Sequence, residues 1–185
     1  MSQIEAKAAR FKSAIALVTL LVAAPVVLPV RPALAATAGP ESSLLERLAA
    51  RQDIEELFAQ YGASLDRRDF EAFGRLFTED AVYGSGATPT HGRAAIQAQL
   101  QQTITANPSH LPGPDFHLYF DASIHVDGDH ATAHSMGAYL IPDEKSPGGW
   151  RLIFLVSYED TLVRQNGHWL FSQRMLHPAA TPAKR

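Results

Sequence analysis

Two short turns in the second half of the chain restrict its fold more than any other feature. Asp127-Gly128-Asp129 and Gln165-Asn166-Gly167 each separate two long stretches rich in β-branched and aromatic residues. Asp-Gly and Asn-Gly in such positions are typical of β-hairpins. The pattern therefore predicts a four-stranded antiparallel meander. Its strands are predicted at 116–126, 131–141, 151–164 and 168–176, with a longer connection at 142–149.

The first half of the chain shows a helical repeat instead. From residue 44 to residue 65, apolar side chains recur at intervals of three and four, which predicts a long helix capped by Ser42 or Ser43. Because helices precede strands, we predict an α+β fold in which about three helices pack in a curved antiparallel sheet. The predicted elements of this half are helices over 43–65, 70–77 (capped by Asp69) and 93–106, and a short strand over 81–83.

Composition excludes several classes of protein. The chain has 185 residues, 46% hydrophobic and 19% charged, so it can bury a core and is not a disordered chain. A formal net charge of −3 gives no basic footprint for nucleic acid. The absence of cysteine excludes disulfides, thiolate metal sites and cysteine nucleophiles. The histidines show no spacing typical of a metal motif such as H-E-x-x-H.

The N-terminus carries the pattern of an export signal. Basic residues within the first twelve positions precede an uncharged, mostly apolar stretch at 13–30, and small residues follow up to Ala35. We predict cleavage after Ala35, a periplasmic or secreted protein, and no membrane association afterwards. The alternative is that 13–30 remains as a membrane anchor, although Pro25 and Pro29 make a poor spanning helix. The predicted limits are 36–42 for a linker, 43–178 for one domain and 179–185 for a disordered tail.

Several motifs along the predicted domain, taken together, resemble one family. Over about 45–176 the chain resembles SnoaL-like domains, which belong to the nuclear transport factor 2-like superfamily. The resemblance implies a cone in which a bent sheet wraps around a long helix and encloses an apolar pocket. It also implies a homodimer, because the open sheet face commonly dimerises in this fold. The motifs are Tyr61-Gly-Ala-Ser-Leu-Asp66, Leu76-Phe-Thr-Glu-Asp80-Ala-Val-Tyr83, Gly92-Arg93-Ala-Ala-Ile96, Ile124-His-Val126-Asp-Gly-Asp-His-Ala131 and Tyr158-Glu-Asp160 through Trp169 to Arg174.

The superfamily includes ketosteroid isomerase, scytalone dehydratase, bile acid dehydratase and members that only bind or transport, so the fold alone does not choose a function. Tyr61, Asp66 and His117 resemble the Tyr, Asp and His of the dehydratase branch. His134 resembles a second histidine that scytalone dehydratase has on the neighbouring strand. The resemblance therefore implies Asp66, His117 and Tyr61 as catalytic residues and His134 and Arg174 as substrate contacts. Tyr158 is a further candidate substrate contact, although spacing does not decide whether Tyr158 and Tyr139 line the pocket or the outside of the sheet.

These residue types suit proton abstraction next to a carbonyl group. A neutral His117 can act as the base if Asp66 fixes its tautomer. Alternatively, Asp66 is itself the base, with its pKa raised by an apolar pocket. Tyr61 would donate a hydrogen bond to the developing enolate oxygen. We therefore predict a lyase or isomerase that acts on a small apolar carbonyl compound and needs neither metal nor organic cofactor.

Each of these residues also has a structural explanation. Asp66 could simply end the first helix, His117 could be a hydrogen-bonded core histidine, and Tyr61 shares the apolar face of its helix. The competing prediction is a non-catalytic module that binds a small hydrophobic molecule or dimerises. The two predictions differ in geometry, because catalysis requires Asp66 and His117 within about 2.6–3.2 Å, directly or through one water, beside a cavity that Tyr61 also faces.

Overall fold

The computed structural model describes residues 40–107, 110–111 and 113–179. The predicted export signal, its cleavage site at Ala35 and the predicted tail from residue 180 onward lie outside the described residues. In the part of the chain that is described, no helix is long and apolar enough to cross a membrane.

Three α-helices precede and flank the sheet, as predicted. They are α1 at Pro40–Asp66, α2 at Phe70–Arg75 and α3 at Arg93–Ala106. The first helix begins at Pro40 rather than at the predicted serine cap, so the last part of the predicted linker is helical. Proline suits the first turn of a helix, where its missing N–H has no partner to lose. Asp69 caps α2 as predicted, because its carboxylate accepts the backbone N–H of Ala72 at 2.9 Å.

The strands form one mixed, six-stranded sheet in the order β2-β1-β6-β5-β4-β3. The last four strands are the predicted antiparallel meander. The first strand is longer than predicted and pairs in parallel with β6, a distant pairing that local sequence does not reveal. The strands are β1 at Phe77–Gly84, β2 at Thr90–His91, β3 at Phe116–Asp127, β4 at His130–Pro142, β5 at Trp150–Gln165 and β6 at His168–Pro178.

The turn between β5 and β6 has the predicted hairpin geometry. Asn166 and Gly167 take φ values of 52° and 82°, as a type I′ turn requires at both central positions. The other predicted turn, between β3 and β4, lies beside it, and the backbone N–H of Arg164 donates to the carbonyl of Asp129 at 2.8 Å. The two turns thus fix the register of the meander.

The core lies between α1 and the inner face of the curved sheet. Tyr61 sits near its centre and is only 1% exposed. Its ring packs against Phe73, Phe77 and Phe171. Helix α1 therefore brings its last turns, from Tyr61 to Asp66, against the sheet.

Gly62 allows α1 to approach β3 closely. A Cβ at this position would lie 2.9 Å from the Tyr119 ring and 3.2 Å from the carbonyl oxygen of His117. Glycine is a poor helix former, yet the helix continues past Gly62 to Asp66. The close contact with the sheet outweighs the low helix propensity of glycine.

We expect Gly62→Ala to lower the free energy of unfolding by about 1–3 kcal/mol, because overpacking must push α1 away from β3. The same shift would separate Asp66 from His117, so any activity should fall too. Urea denaturation measures the first effect. Gly113→Ala is the matched control, since nothing lies within 4 Å of a Cβ there. Equal stability of Gly62→Ala and wild type would contradict the close-approach explanation.

Candidate active site

Asp66 and His117 are in direct contact. Nδ1 of His117 lies 2.7 Å from Oδ1 of Asp66, and the backbone N–H of His117 donates to the same oxygen at 3.1 Å. The side chains are 19% and 14% exposed. Asp66 is the last residue of α1 and His117 the second of β3, so the pair joins the helix end to the sheet. Within the described residues, nothing hydrogen-bonds the other ring nitrogen of His117, Nε2.

A partly enclosed cavity of about 300 Å³ lies beside His117. Tyr61 and Tyr158 line it, whereas Asp66 does not. Asp66 instead lines a separate surface groove, together with His117 and Tyr119. His117 thus stands between Asp66 and the cavity. The remaining wall is mostly apolar and comes from Leu65, Leu100, Ile104, Leu111, Phe154 and Leu176.

The buried end of the cavity, which we call the tyrosine end, is formed by Tyr61, Tyr83 and Tyr158, each at most 6% exposed. The hydroxyl groups of Tyr61 and Tyr83 are 2.9 Å apart, so one donates to the other. Burial raises the pKa of Tyr61 well above its usual value and the pKa of Tyr83 to about 12. Both groups therefore remain protonated hydrogen-bond donors at neutral pH.

A second, polar part of the wall, which we call the mouth because the side chain of Arg68 is 42% exposed there, is formed by Arg68, the buried Asp115 and Tyr139. Asp115 accepts hydrogen bonds from Arg68 at 2.8 Å and from the Tyr139 hydroxyl at 2.7 Å. Although burial opposes this, these two donors hold the pKa of Asp115 below its usual value. The Tyr139 ring lies 4.8 Å from that of His117, so the mouth also fixes the imidazole from its second side.

Arg174 does not reach the cavity wall, although the resemblance implied a substrate contact. Its side chain is 0% exposed and lies behind the tyrosine end. The guanidinium carbon is 3.9 Å from the ring centre of Tyr158 and 4.3 Å from that of Tyr61. These aromatic rings separate Arg174 from any ligand in the cavity.

His134 also lies away from the cavity. Its neighbours Ala133 and Ser135 are buried, whereas His134 is exposed. Alternation along β4 therefore turns its side chain to the opposite face of the sheet. There it lines a shallow groove with His125 and Glu159. The implied substrate contact is not part of this site.

Sequence reasoning missed Tyr83, Arg68 and Asp115, and it did not decide whether Tyr139 faces the pocket. These residues come from β1, the turn after α1, the residue before β3, and β4, and only the sheet topology brings them together. Tyr83 carried a weak signal, because it ends the motif Asp80-Ala-Val-Tyr83 that supported the resemblance. No sequence signal pointed to Arg68 or Asp115 in the mouth.

Two further observations argue against other functional sites in the described part of the chain. A larger groove of about 660 Å³ lies between α1, α2 and the turn after β5, but charged side chains line much of it and it does not touch His117. Among residues 40–107, 110–111 and 113–179, no three His, Asp or Glu side chains are grouped so that they could hold a metal ion.

Comparisons with known proteins agree with the fold. The sequence profile of the family described as SnoaL-like domain matches residues 46–175. An NTF2-like protein with a cystatin-like fold from Novosphingobium aromaticivorans is 28% identical, with a TM-score of 0.66 over 77% of this chain and 90% of that one. No curated protein sequence matches significantly.

Two other solved structures are similar at 24% identity and indicate the fold alone. One is a protein of unknown function from Mycobacterium tuberculosis, with a TM-score of 0.64 over 80% of both chains. The other, from N. aromaticivorans, is provisionally named a scytalone dehydratase and has a TM-score of 0.62 over 77% of this chain and 92% of that one.

Proposed function

We propose a function for this chain from the premise that it belongs to the SnoaL-like family. The chain is a cofactor-free lyase or isomerase that removes a carbon-bound proton next to the carbonyl group of a small apolar compound. One observation carries the proposal: the 2.7 Å contact between Asp66 and His117, at the wall of a cavity that Tyr61 also lines.

His117 is the general base in this proposal. The N–H at Nδ1 of His117 donates a hydrogen bond to the Asp66 carboxylate, which leaves Nε2 unprotonated and able to take a proton from the substrate. Asp66 itself lines the groove behind His117 rather than the cavity. Its role is therefore to orient the imidazole and to stabilise the imidazolium after proton transfer, and the alternative in which Asp66 is the base is set aside.

The electrons of the broken C–H bond move to the carbonyl oxygen, and the resulting enolate accepts a hydrogen bond from the tyrosine end. In a β-hydroxy carbonyl compound, the C–O bond at the β-carbon then breaks. The leaving hydroxide takes the proton from His117 and departs as water, while the carbonyl re-forms beside a new C=C bond. In an isomerisation, His117 returns the proton to a different carbon.

Dehydration is the first reaction to test, given the name of one structural neighbour. The purified protein would be incubated with small β-hydroxy ketones in D₂O and followed by NMR. We expect exchange of the α-proton or formation of the unsaturated ketone. His117→Gln should slow either process by about 10²–10⁴-fold.

The matched control is His125→Gln, which changes an exposed histidine on the same strand and should leave the rate unchanged. Full turnover of an identified substrate by His117→Ala and Asp66→Asn would refute the proposal. In that case the cavity would belong to a binding module.

The outer face of the sheet favours a second copy of this chain as the partner, which would give a homodimer. On the face opposite the cavity, the register places Leu118 beside Ala138 and Ala138 beside Leu155. Leu118 is 52% exposed, and other large apolar side chains surround it. An exposed apolar patch of this kind is typical of an interaction surface. Its other members are Phe116, Phe120 and Leu152.

We expect Leu118→Asp to shift the protein from dimer to monomer, because burying an unpaired carboxylate in the interface is costly. Sedimentation or light scattering across a concentration series measures the change. Ser123→Asp places the same charge on an exposed position of β3 outside the patch and serves as control. A wild-type protein that is monomeric at every concentration would contradict the dimer.

From the predicted export signal, we propose that this reaction takes place in the periplasm or outside the cell. The intact mass of the protein recovered from the producing cells tests cleavage after Ala35. An unprocessed chain in the membrane fraction would favour the anchored alternative.

A further inference from the structure

Asp115 is a buried carboxylate that the proposed reaction does not use. It is 5% exposed and accepts two hydrogen bonds, from the guanidinium group of Arg68 at 2.8 Å and from the hydroxyl group of Tyr139 at 2.7 Å. Burying a charge is costly even when it is paired, and a neutral side chain would cover this part of the wall without that cost. Packing alone therefore does not account for Asp115.

Arg68 adopts a backbone conformation that is uncommon for arginine. Its φ is 60°, in the left-handed region that favours glycine and asparagine. Its guanidinium group donates to the carbonyl oxygen of Leu65 at 2.7 Å as well as to Asp115. Residues other than glycine stay in this region only where their surroundings fix them, and such residues cluster at functional sites. Arg68 is thus fixed at a position where glycine would be less strained.

Two contacts between an acidic and a basic side chain connect the end of α1 to the start of β3. Asp66 and Arg68 are two residues apart at the end of the helix, and their partners His117 and Asp115 are two residues apart at the start of the strand. The helix end supplies the acid in one contact and the base in the other. The Arg68–Asp115 pair therefore joins the same two segments as the Asp66–His117 contact.

The ring of Tyr139 connects Asp115 to the imidazole. Tyr139 lies directly opposite His117 on the neighbouring strand, and the centres of their rings are 4.8 Å apart. Phe154 stacks on the Tyr139 ring, with 5.2 Å between the ring centres. Because Asp115 also accepts a hydrogen bond from the hydroxyl group, the Tyr139 ring is held both at its face and at its tip.

The imidazole needs this support because one hydrogen bond alone does not fix its ring. Nδ1 of His117 donates to Asp66, whereas nothing in the described part of the chain hydrogen-bonds Nε2. A ring held at one nitrogen can pivot about that bond and swing Nε2 away from the substrate. A misplacement of about 1 Å can cost about 10²-fold in rate. The Tyr139 ring, packed against the imidazole, opposes this pivot.

We propose that Asp115 is a positioning residue for the base: it holds Tyr139 against His117, and Arg68 holds Asp115 in place. The inference rests on the proposed function in taking His117 as the base, and it adds a requirement that the reaction scheme does not contain. Asp66 sets which nitrogen of the ring carries the proton. Asp115, acting through Tyr139, sets the direction in which Nε2 points.

NMR relaxation of the His117 ring tests this without any turnover. Tyr139→Phe keeps the aromatic ring but removes the hydroxyl group, and Asp115→Ala removes the acceptor. In both variants we expect the motion of the His117 ring to increase while its proton stays on Nδ1, because Asp66 is unchanged. Asp129→Ala is the matched control, since it removes a carboxylate that pairs with Arg164 at the surface and should leave the ring unchanged.

Turnover of β-hydroxy ketones gives the second readout. Tyr139→Phe and Asp115→Ala should each lower kcat by about 10–100-fold and change KM little. Because Asp115 acts through the Tyr139 hydroxyl group, the double variant should lose no more than either single variant. A purely structural role would lower the free energy of unfolding and leave the kcat of the folded protein unchanged. Losses that multiply in the double variant overturn the inference, as does a wild-type kcat or wild-type ring motion in Tyr139→Phe.

Failure of this inference and failure of the proposed function give different results. Retained turnover in His117→Gln would refute the proposed function, and the NMR measurement would still decide whether Asp115 orders the ring. Lost turnover in His117→Gln, with unchanged turnover and ring motion in Asp115→Ala, would refute this inference alone. If Asp115→Ala does not fold, Tyr139→Phe decides, because it leaves the Arg68–Asp115 pair in place.

Discussion

Asp160→Asn is expected to stabilise the protein at neutral pH, although it removes one partner of a buried ion pair. Burial raises the pKa of Asp160 from an ordinary 3.8 to about 6, even though Arg174 and His134 act in the opposite direction. The ionised carboxylate is therefore less favourable in the folded protein than in the unfolded chain. An asparagine of the same shape avoids that cost.

The sign follows from proton linkage. Because the folded-state pKa is raised, the favourable contribution of Asp160 is complete below about pH 4 and is lost as the pH rises through about 6. A shift of this size corresponds to about 2–3 kcal/mol between pH 4 and pH 7. We therefore expect Asp160→Asn to match wild type near pH 4 and to exceed its free energy of unfolding by about 2–3 kcal/mol at pH 7.

Breaking a buried ion pair usually has the opposite effect and costs about 3–5 kcal/mol. Geometry decides between the two expectations here. The closest approach of Arg174 and Asp160 is 3.4 Å, and the Asp160 oxygens have no well-formed hydrogen bond among the described residues. Their attraction is thus too weak to offset the desolvation of the carboxylate.

Urea denaturation of wild type and Asp160→Asn between about pH 4 and about pH 7 measures the difference in their free energies of unfolding. Asp129→Asn is the matched control, because Asp129 pairs with Arg164 at the surface with better geometry, at 2.6 Å. Such a pair contributes about 0–1 kcal/mol, and its removal should give no comparable pH dependence. A loss of several kcal/mol in Asp160→Asn at pH 7 would show that the buried pair is strongly stabilising.

The hairpin turns made most of the sheet predictable. Asn166-Gly167 fixed the β5–β6 connection because few residues other than Gly and Asn accept positive φ at both positions. The parallel pairing of β1 with β6 was not predictable, because it joins segments about ninety residues apart and depends on the completed core. The start of α1 at Pro40 lies where propensity signals are weakest.

Only those residues of the candidate site that belong to a recognisable family motif could be predicted from the sequence. The grouping of Tyr61, Asp66 and His117 could be predicted, because all three resemble residues of the dehydratase branch. His134 was not predictable, since its face depends on strand parity, and β3 has a register shift between Phe120 and Ser123. The position of Arg174 behind the rings depends on side-chain packing of four elements, which no local pattern encodes.

Asp66→Asn is expected to lower turnover by about 10²–10⁴-fold, an effect like that of losing the base itself. The asparagine side chain can present its NH₂ group to Nδ1 of His117. The imidazole then adopts the tautomer in which Nε2 carries the proton, and Nε2 cannot act as a base. Asparagine keeps one oxygen for the backbone N–H of His117, so the fold should lose only about 0.5–1.5 kcal/mol.

Two measurements separate chemistry from folding in this variant. Nitrogen NMR of the His117 ring should show the proton move from Nδ1 to Nε2, and kcat should fall far more than KM changes. Asp69→Asn is the control, because asparagine caps a helix as well as aspartate and, among the described residues, the Asp69 carboxylate hydrogen-bonds only to the backbone N–H of Ala72 in α2. An Asp66→Asn protein with the original tautomer and full turnover would mean that Asp66 serves only to end α1, and His117 would then need another group to orient it.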